Sequence, residues 1–394
     1  MLPFDEALAL IESYVRPLGS EIVTLADAQG RVTAEPLVAR CDSPRHAVSA
    51  MDGYAVVEAT TSAGEPLQVI GEARAGTPFA GKVGAGQAVR IFTGARLPEG
   101  ADLVIMQEYA SREGDRIEFA AGFGPARHIR PQAGDFSAGT ELVPRGTRLD
   151  ARAMVTAAAA DCARLEVARR PRVAIISTGD ELAEPGSAHL SPDRIPESVS
   201  YGIAAMVGEE GGVVVSRATG ADDLGLLSEA AGKALGMADL VITIGGASVG
   251  ERDFAKPMFE PHGLSLAFEK VAMKPGKPVW LGEAQGVVVL GLPGNPTSAL
   301  VTASLFLRPI LARLHGADAR AGRRWRHMPL AAPVEATGSR ETFVRARWEA
   351  GGLVPVGNQD SGAQAALLGA DWLIRRPASS PGLEAGAMVE AIAF

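Results

Sequence analysis

The stretch Leu240 to Asp253, LVITIGGASVGERD, constrains the fold most. A short run, mostly apolar and β-branched, leads straight into Gly245-Gly246, and Ser248, Val249 and Gly250 follow. A continuous run of this kind reads as a strand of a parallel sheet, buried on both faces. Glycines at its carboxyl end let the backbone turn tightly and bring N–H groups close to a ligand. Consecutive N–H groups aimed one way, backed by a helix N-terminus, cradle an anion. The same glycines also suit a plain strand-turn-helix corner, so the neighbouring segments have to decide.

Those neighbours repeat the pattern. Over 171–316 the runs VAIIS (173–177), VVVS (213–216), LVITI (240–244) and VVVLG (287–291) alternate with helical segments near 199–208, 223–236 and 253–260, and a helix from Thr297 to about Leu314 closes the unit. Such alternation predicts right-handed βαβ units in a doubly wound α/β sheet. Ligands of such sheets sit outside the carboxyl ends of the strands. Elsewhere the character changes. Residues 40–134 carry short β runs separated by Gly and Pro turns, as expected of an inserted β domain. Helical spacing at Phe4, Leu8, Ile11 and Val15, and an alanine-rich helix over 151–163 capped by Asp150, flank that insertion. Residues 1–39 and 135–170 are therefore expected to form one discontinuous helical and mixed domain. Residues 317–394 return to β runs and turns, a small barrel-like C-terminal domain.

Composition narrows the function. A net charge of −8 argues against nucleic-acid binding, so any anionic ligand needs a local basic patch. Cys41 and Cys162 have no CxxC spacing, which disfavours a disulfide framework or a cysteine metal site. The opening MLPFDEALALIESYV has no basic n-region and does not read as a signal peptide. No membrane span is expected, and the cytoplasm is the expected compartment.

Charged and special residues collect after each strand. Thr178-Gly179-Asp180-Glu181 follows the first, Arg217 and Asp222-Asp223 the second, and Asp253 and Lys256 the third. Lys274-Pro275-Gly276-Lys277-Pro278 and Leu292-Pro293-Gly294-Asn295-Pro296 complete the set. Each aspartate alone could equally be a helix cap. Together, beside a lysine loop and a glycine turn, they predict a functional crevice. Phosphate calls for backbone N–H groups and lysine, and Mg²⁺ calls for one or two carboxylates plus phosphate. GxxxxGK[ST] is absent, and no GxGxxG follows the first strand, so a kinase or dehydrogenase has no direct support.

The combination resembles the molybdopterin molybdenumtransferase family, which includes bacterial MoeA and the E domain of gephyrin. The matching segments, in order, are SAMDGYAV (49–56), RIFTGARLPEGAD (90–102), AGDFSAG (133–139), STGDEL (177–182), GGASVGERDF (245–254), KPGKP (274–278), GLPGNPTSA (291–299) and RARW (345–348). They span nearly the whole chain. The resemblance implies a homodimer whose site lies between the α/β domain of one subunit and the β insertion of the other. It implies adenylylated molybdopterin and molybdate as substrates, a divalent cation such as Mg²⁺, and release of AMP. It also implies transient contacts with the molybdopterin adenylyltransferase and with recipient molybdoenzymes.

By motif match Glu181, Asp222 and Asp253 occupy the acidic functional positions and would hold the metal. Lys270 and Lys274 occupy the basic ones. Gly245, Gly246, Ser248, Gly250, Lys277, Pro293, Asn295 and Ser198 are expected to bind substrate. Asp52, Thr93 and Asp135 match positions on the partner-subunit side, and Ser361 a C-terminal one. One segment departs from the family pattern. Where an Asp or Asn, a Ser or Thr and then Asn are usual, this chain has Glu197-Ser198-Val199. Val199 can neither hydrogen-bond a ligand nor cap a helix, so Ser198 is expected to take over the cap. Two rivals remain: a molybdopterin-binding or scaffold paralogue without turnover, and another phosphoanhydride hydrolase. Retention of Asp222, Asp253 and Lys274 favours the enzyme.

Overall fold

The computed structural model describes residues 1–246, 254–319 and 324–394. Ser248, Gly250 and Asp253 lie outside the described residues. The centre is a six-stranded sheet in the order Val213–Gly220, Arg172–Thr178, Leu240–Ile244, Val287–Leu292, Trp280–Ala284 and Ser265–Glu269. The first four strands are parallel, and the last two extend the sheet antiparallel. Between the strands 280–284 and 287–292, Gln285 and Gly286 both have positive φ, 52° and 79°, as a two-residue hairpin turn requires.

Leu240–Ile244 sits inside this sheet with all five residues buried. Its side chains alternate between two cores. Leu240, Ile242 and Ile244 join a cluster with helices α1 (Phe4–Tyr14), α3 (Val199–Glu209) and α5 (Pro296–Leu314). Val241 joins the opposite cluster with α4 (Leu224–Met237). That two-sided burial is why the run shows no polar alternation. The doubly wound α/β unit expected from the sequence is therefore present. Its edge differs: Val213 and Val215 lie on the outermost strand, 42% and 39% exposed.

The expected helix near 253–260 is instead a 3-10 turn over Pro257–His262. Pro257 and Pro261 lack the N–H groups an α-helix needs there. Helix α2 (Ala151–Ala159) stops short of residue 163, where Asp161 turns to a φ of 60°. Asp150 caps it as expected, accepting from the Ala153 N–H at 2.9 Å. Helix α5 is long and apolar enough to cross a membrane, yet 78% of it is buried inside the fold, as in a core helix.

A second six-stranded sheet is built wholly from strands between Gly53 and Phe119. The segments on either side of it pair with each other. Ser20–Thr24 runs antiparallel to Arg164–Ala168, and Leu37–Val38 to Glu141–Val143. The C-terminal sheet includes Glu341–Glu349, Trp372–Arg376 and Met388–Ala393. It also takes in Met273–Lys274 from the lysine loop, which ties that loop to the C-terminal unit.

Candidate functional site

The carboxyl ends of the parallel strands open into a cleft of about 800 Å³. Glu181, Asp222, Gly245, Gly246 and Lys270 line it, with Lys277, Pro293, Asn295 and Ser198. These nine come from five strand-end loops and the start of α3, so the topology brings together residues as far apart as 181 and 295.

The backbone explains how. Gly245 has a φ of +95°, and a Cβ there would lie 2.8 Å from the Thr178 carbonyl oxygen. Only glycine lets the third strand's end pass this close to the first. The Gly245 N–H donates to the Leu292 carbonyl at 3.2 Å, which draws the Pro293 loop alongside. On the opposite edge Asp180 accepts the Asp222 N–H at 3.0 Å and holds the second loop against the first. Asp223 caps α4 by accepting the Leu226 N–H at 2.9 Å, which leaves the cleft position to Asp222.

Lys274 and Ser361 line a second cavity of about 880 Å³. Lys277 and Pro278 belong to both, so the two cavities adjoin there. Arg340 lines the second cavity as well. Ser361 is tied to the cleft all the same: Asn295 Nδ2 donates to its Oγ at 3.1 Å, and Thr297 N–H to its carbonyl at 3.0 Å.

Asp52, Thr93 and Asp135 are not among the residues lining either cavity. Asp52 and Thr93 form one unit, since the Thr93 N–H and hydroxyl both donate to Asp52 Oδ1, at 2.7 and 2.8 Å. Those bonds hold the Asp52 carboxyl below the usual carboxylate range. Asp135 is exposed, its N–H bound to the Ser43 carbonyl at 2.9 Å.

The structure corrects the expected cap of α3. Ser198 makes no side-chain cap bond; its hydroxyl donates to Gln364 Oε1 at 3.1 Å. Glu197 does the capping. It accepts the Ser200 N–H at 2.9 Å and the Ser177 hydroxyl at 3.3 Å, and is 3% exposed on the cleft wall. Val199 turns into the core beneath. Glu197 and Gln364 were not singled out as site residues from sequence, because capping from one residue before the usual position and a contact across 166 residues leave no local signal.

Among the described residues no cluster of three or more metal-ligating side chains occurs. Glu181 and Asp222 do share a cleft with lysines, and one or two carboxylates plus a substrate phosphate suffice for Mg²⁺. The residues present thus fit a divalent cation brought in with a phosphate. Chemically, the cleft offers carboxylates and ammonium groups, a set suited to an extended anion.

Known proteins share this architecture. Residues 2–160 match the MoeA N-terminal region (domain I and II), residues 174–313 a probable molybdopterin binding domain, and residues 327–394 the MoeA C-terminal region (domain IV). A protein of Nostoc sp. named molybdopterin molybdenumtransferase is 38% identical over 305 residues, covering 75% of this chain and 70% of that protein. One of the same name from Haemophilus influenzae is 36% identical, covering 80% and 78%. The crystal structure of a molybdopterin biosynthesis moeA protein from Pyrococcus horikoshii superposes with a TM-score of 0.86 at 28% identity, over 100% of both chains. The chain belongs to the molybdopterin molybdenumtransferase (MoeA) family.

Proposed function

We propose that the protein is a molybdopterin molybdenumtransferase, the activity its relatives are named for. It takes adenylylated molybdopterin and molybdate and yields molybdenum cofactor and AMP. The observation that carries this is the convergence of Glu181, Asp222, Lys270 and Lys277 with the Gly245-Gly246 turn in one cleft.

Cleaving a phosphoanhydride needs positioning and charge stabilisation rather than a covalent nucleophile. Water adds to phosphorus, the bridging P–O bond breaks, and the two phosphates leave separately with a proton released. Lys270 and Lys277 offset the charge that develops on the departing oxygens. The Gly245-Gly246 turn and Asn295 orient the substrate, and Glu197 shapes the wall beside them. Lys274, Arg340 and Ser361, in the adjoining cavity, form the natural seat for molybdate before it meets the dithiolene. Glu181 and Asp222, with Asp253, would hold Mg²⁺ or another divalent cation, which supplies charge neutralisation across the pyrophosphate when bound. Ser248 and Gly250, by motif match, complete the substrate contacts.

The working units are 1–39 with 135–170, 40–134, 171–316 and 317–394. The active form is a homodimer, in which Asp52, Thr93 and Asp135 reach the cleft of the other copy. That arrangement would give those polar residues a site, since they line neither cavity of their own chain. The molybdopterin adenylyltransferase and recipient molybdoenzymes are the transient partners. The cytoplasm is the compartment, where Cys41 and Cys162 keep the free thiols they show here.

The test is incubation with adenylylated molybdopterin, Mg²⁺ and molybdate. AMP release that depends on molybdate, together with reconstitution of an apo-molybdoenzyme, is the expected result. Binding without turnover would replace the enzyme with a scaffold, and hydrolysis indifferent to molybdate would make it another phosphoanhydride hydrolase.

A further inference from the structure

Lys270 has a φ of 60°, the left-handed region that lysine rarely adopts. A residue persists there when its surroundings over-determine it. The surroundings come from both ends of the chain. The Leu2 N–H donates to the Lys270 carbonyl at 3.1 Å, and the Ala272 N–H returns a bond to the Leu2 carbonyl at 2.8 Å. From the other side the Glu341 N–H donates to the Ala272 carbonyl at 3.1 Å, and Met273–Lys274 runs parallel to Glu341–Thr342. Both backbone groups of Ala272 are therefore held by residues 2 and 341, neither of them in the lysine loop.

The loop is closed on itself at its base. The Lys270 N–H bonds the Val279 carbonyl and the Val271 N–H the Lys277 carbonyl, both at 3.0 Å. The three lysines thus sit on one short frame whose outer anchors are Leu2 and Glu341. Arg375 ties the two anchoring segments together. Its Nη2 donates to Asp5 at 2.7 Å and its Nε to Glu341. Its guanidinium lies 5.4 Å from the ring centroids of both Phe4 and Trp325. The Arg375 and Glu341 side chains are only 17% and 15% exposed, so removing one partner leaves the other poorly solvated.

We propose that Leu2 and Arg375 are positioning residues for the cleft: through the backbone at 270–274 they set where Lys270, Lys274 and Lys277 present their ammonium groups. The consequence for oxyanion affinity rests on the function proposed above; the consequence for lysine geometry does not.

Leu2→Pro removes the N–H donor while keeping an apolar side chain, and Leu2→Ile keeps both. Three measurements are combined: acylation rates of individual lysines with acetic anhydride, resolved by mass spectrometry, molybdate binding by calorimetry, and steady-state AMP release. In Leu2→Pro, Lys270 acylation should change by about threefold or more and molybdate affinity fall by about tenfold, with KM raised and kcat within about twofold. Leu2→Ile should match the unaltered protein. A folded Leu2→Pro protein whose lysines react like those of Leu2→Ile overturns the clamp. If Leu2→Pro does not fold, Arg375→Met carries the same expectation, with Arg375→Lys as partial rescue, and unchanged lysine reactivity in it overturns the clamp equally. Failure of the unaltered protein to bind molybdate would overturn the oxyanion reading alone, because lysine acylation still decides the geometry.

Discussion

Glu197 and Ser200 lock the first turn of α3 to the cleft wall: the Ser200 hydroxyl donates to Glu197 Oε2 at 2.5 Å and its N–H to Oε1 at 2.9 Å. Helix N-termini favour an anion, and this one is 3% exposed. Arg217 stands behind it, its Nη1 3.4 Å from the same Ser200 hydroxyl. Replacing the carboxylate with a methyl group removes the cap and strands the buried hydroxyls of Ser177 and Ser200. Glu197→Ala is expected to cost about 2–3 kcal/mol in urea unfolding, and Glu197→Gln clearly less, since its carbonyl oxygen still accepts the amide. Equal losses in the two variants would show that the cap is not what the carboxylate contributes.

Gly245 is where the glycine turn can be tested without touching a charged group. Its φ of +95°, and the 2.8 Å at which a β-carbon would meet the Thr178 carbonyl oxygen, forbid a side chain without backbone movement. Gly245→Ala should lower kcat/KM at least about tenfold and stability by about 1–3 kcal/mol, because the shift displaces both the 245–246 backbone and the 178–181 loop. The check is steady-state AMP release alongside thermal unfolding. Unimpaired catalysis would mean that this backbone does not face substrate.

Much of this was legible in the sequence, for a physical reason. A strand buried on both faces must be mostly apolar, so Leu240–Ile244 announced the sheet, and the sheet's topology then fixed which loops share an edge. Glu181, Asp222 and Asn295 followed from those strand-end loops, and Lys270 from the motif match. Two features were not legible. Lys274 and Ser361 face the adjoining cavity because the strand Met273–Lys274 is captured by the C-terminal sheet, a pairing no local pattern encodes. Glu197 takes the cap that Ser198 was expected to provide, since only the three-dimensional path of the chain decides which side chain reaches the Ser200 N–H. The two prolines at 257 and 261 did carry a signal against a helix there.

His315 gives the protein an acid-sensitive element remote from the cleft. It is 2% exposed, and burial, reinforced by Arg148 and opposed by its bond to the Glu210 carbonyl, lowers its pKa to about 4. Its Nε2 lies 3.0 Å from that carbonyl, which can only accept, so the neutral ring carries its proton there. Unfolding returns the imidazole to an ordinary pKa near 6.5, so between these values the unfolded chain binds the extra proton. Stability contributed by the neutral ring is full above about pH 6.5 and is lost as pH falls towards 4, by up to about 3 kcal/mol. Urea midpoints measured across that range should show the loss, and His315→Gln should flatten it. A slope unchanged in His315→Gln would assign the acid sensitivity to other groups.

Asp222 and Asp52 provide the decisive test of how the site is completed. Asp222 lines the cleft, whereas Asp52 immediately precedes the Gly53–Val56 strand of the inserted sheet, outside the cleft and paired with Thr93. If a homodimer supplies Asp52 across the interface, each cleft draws its acidic groups from two chains. Asp222→Asn and Asp52→Asn should each reduce AMP release by at least about a hundredfold, with little change in unfolding, because the amides preserve shape and, at Asp52, the acceptor for Thr93. Unfolded together and refolded as an equal mixture, the two inactive proteins form hybrid dimers in about half of all cases. In a hybrid, one cleft carries both substitutions and the other carries neither. Activity should therefore return to about a quarter of that of the unaltered protein. A mixture as inactive as its components would place Asp52 and Asp222 in the same cleft from one chain, and an Asp52→Asn protein active by itself would place Asp52 outside the chemistry.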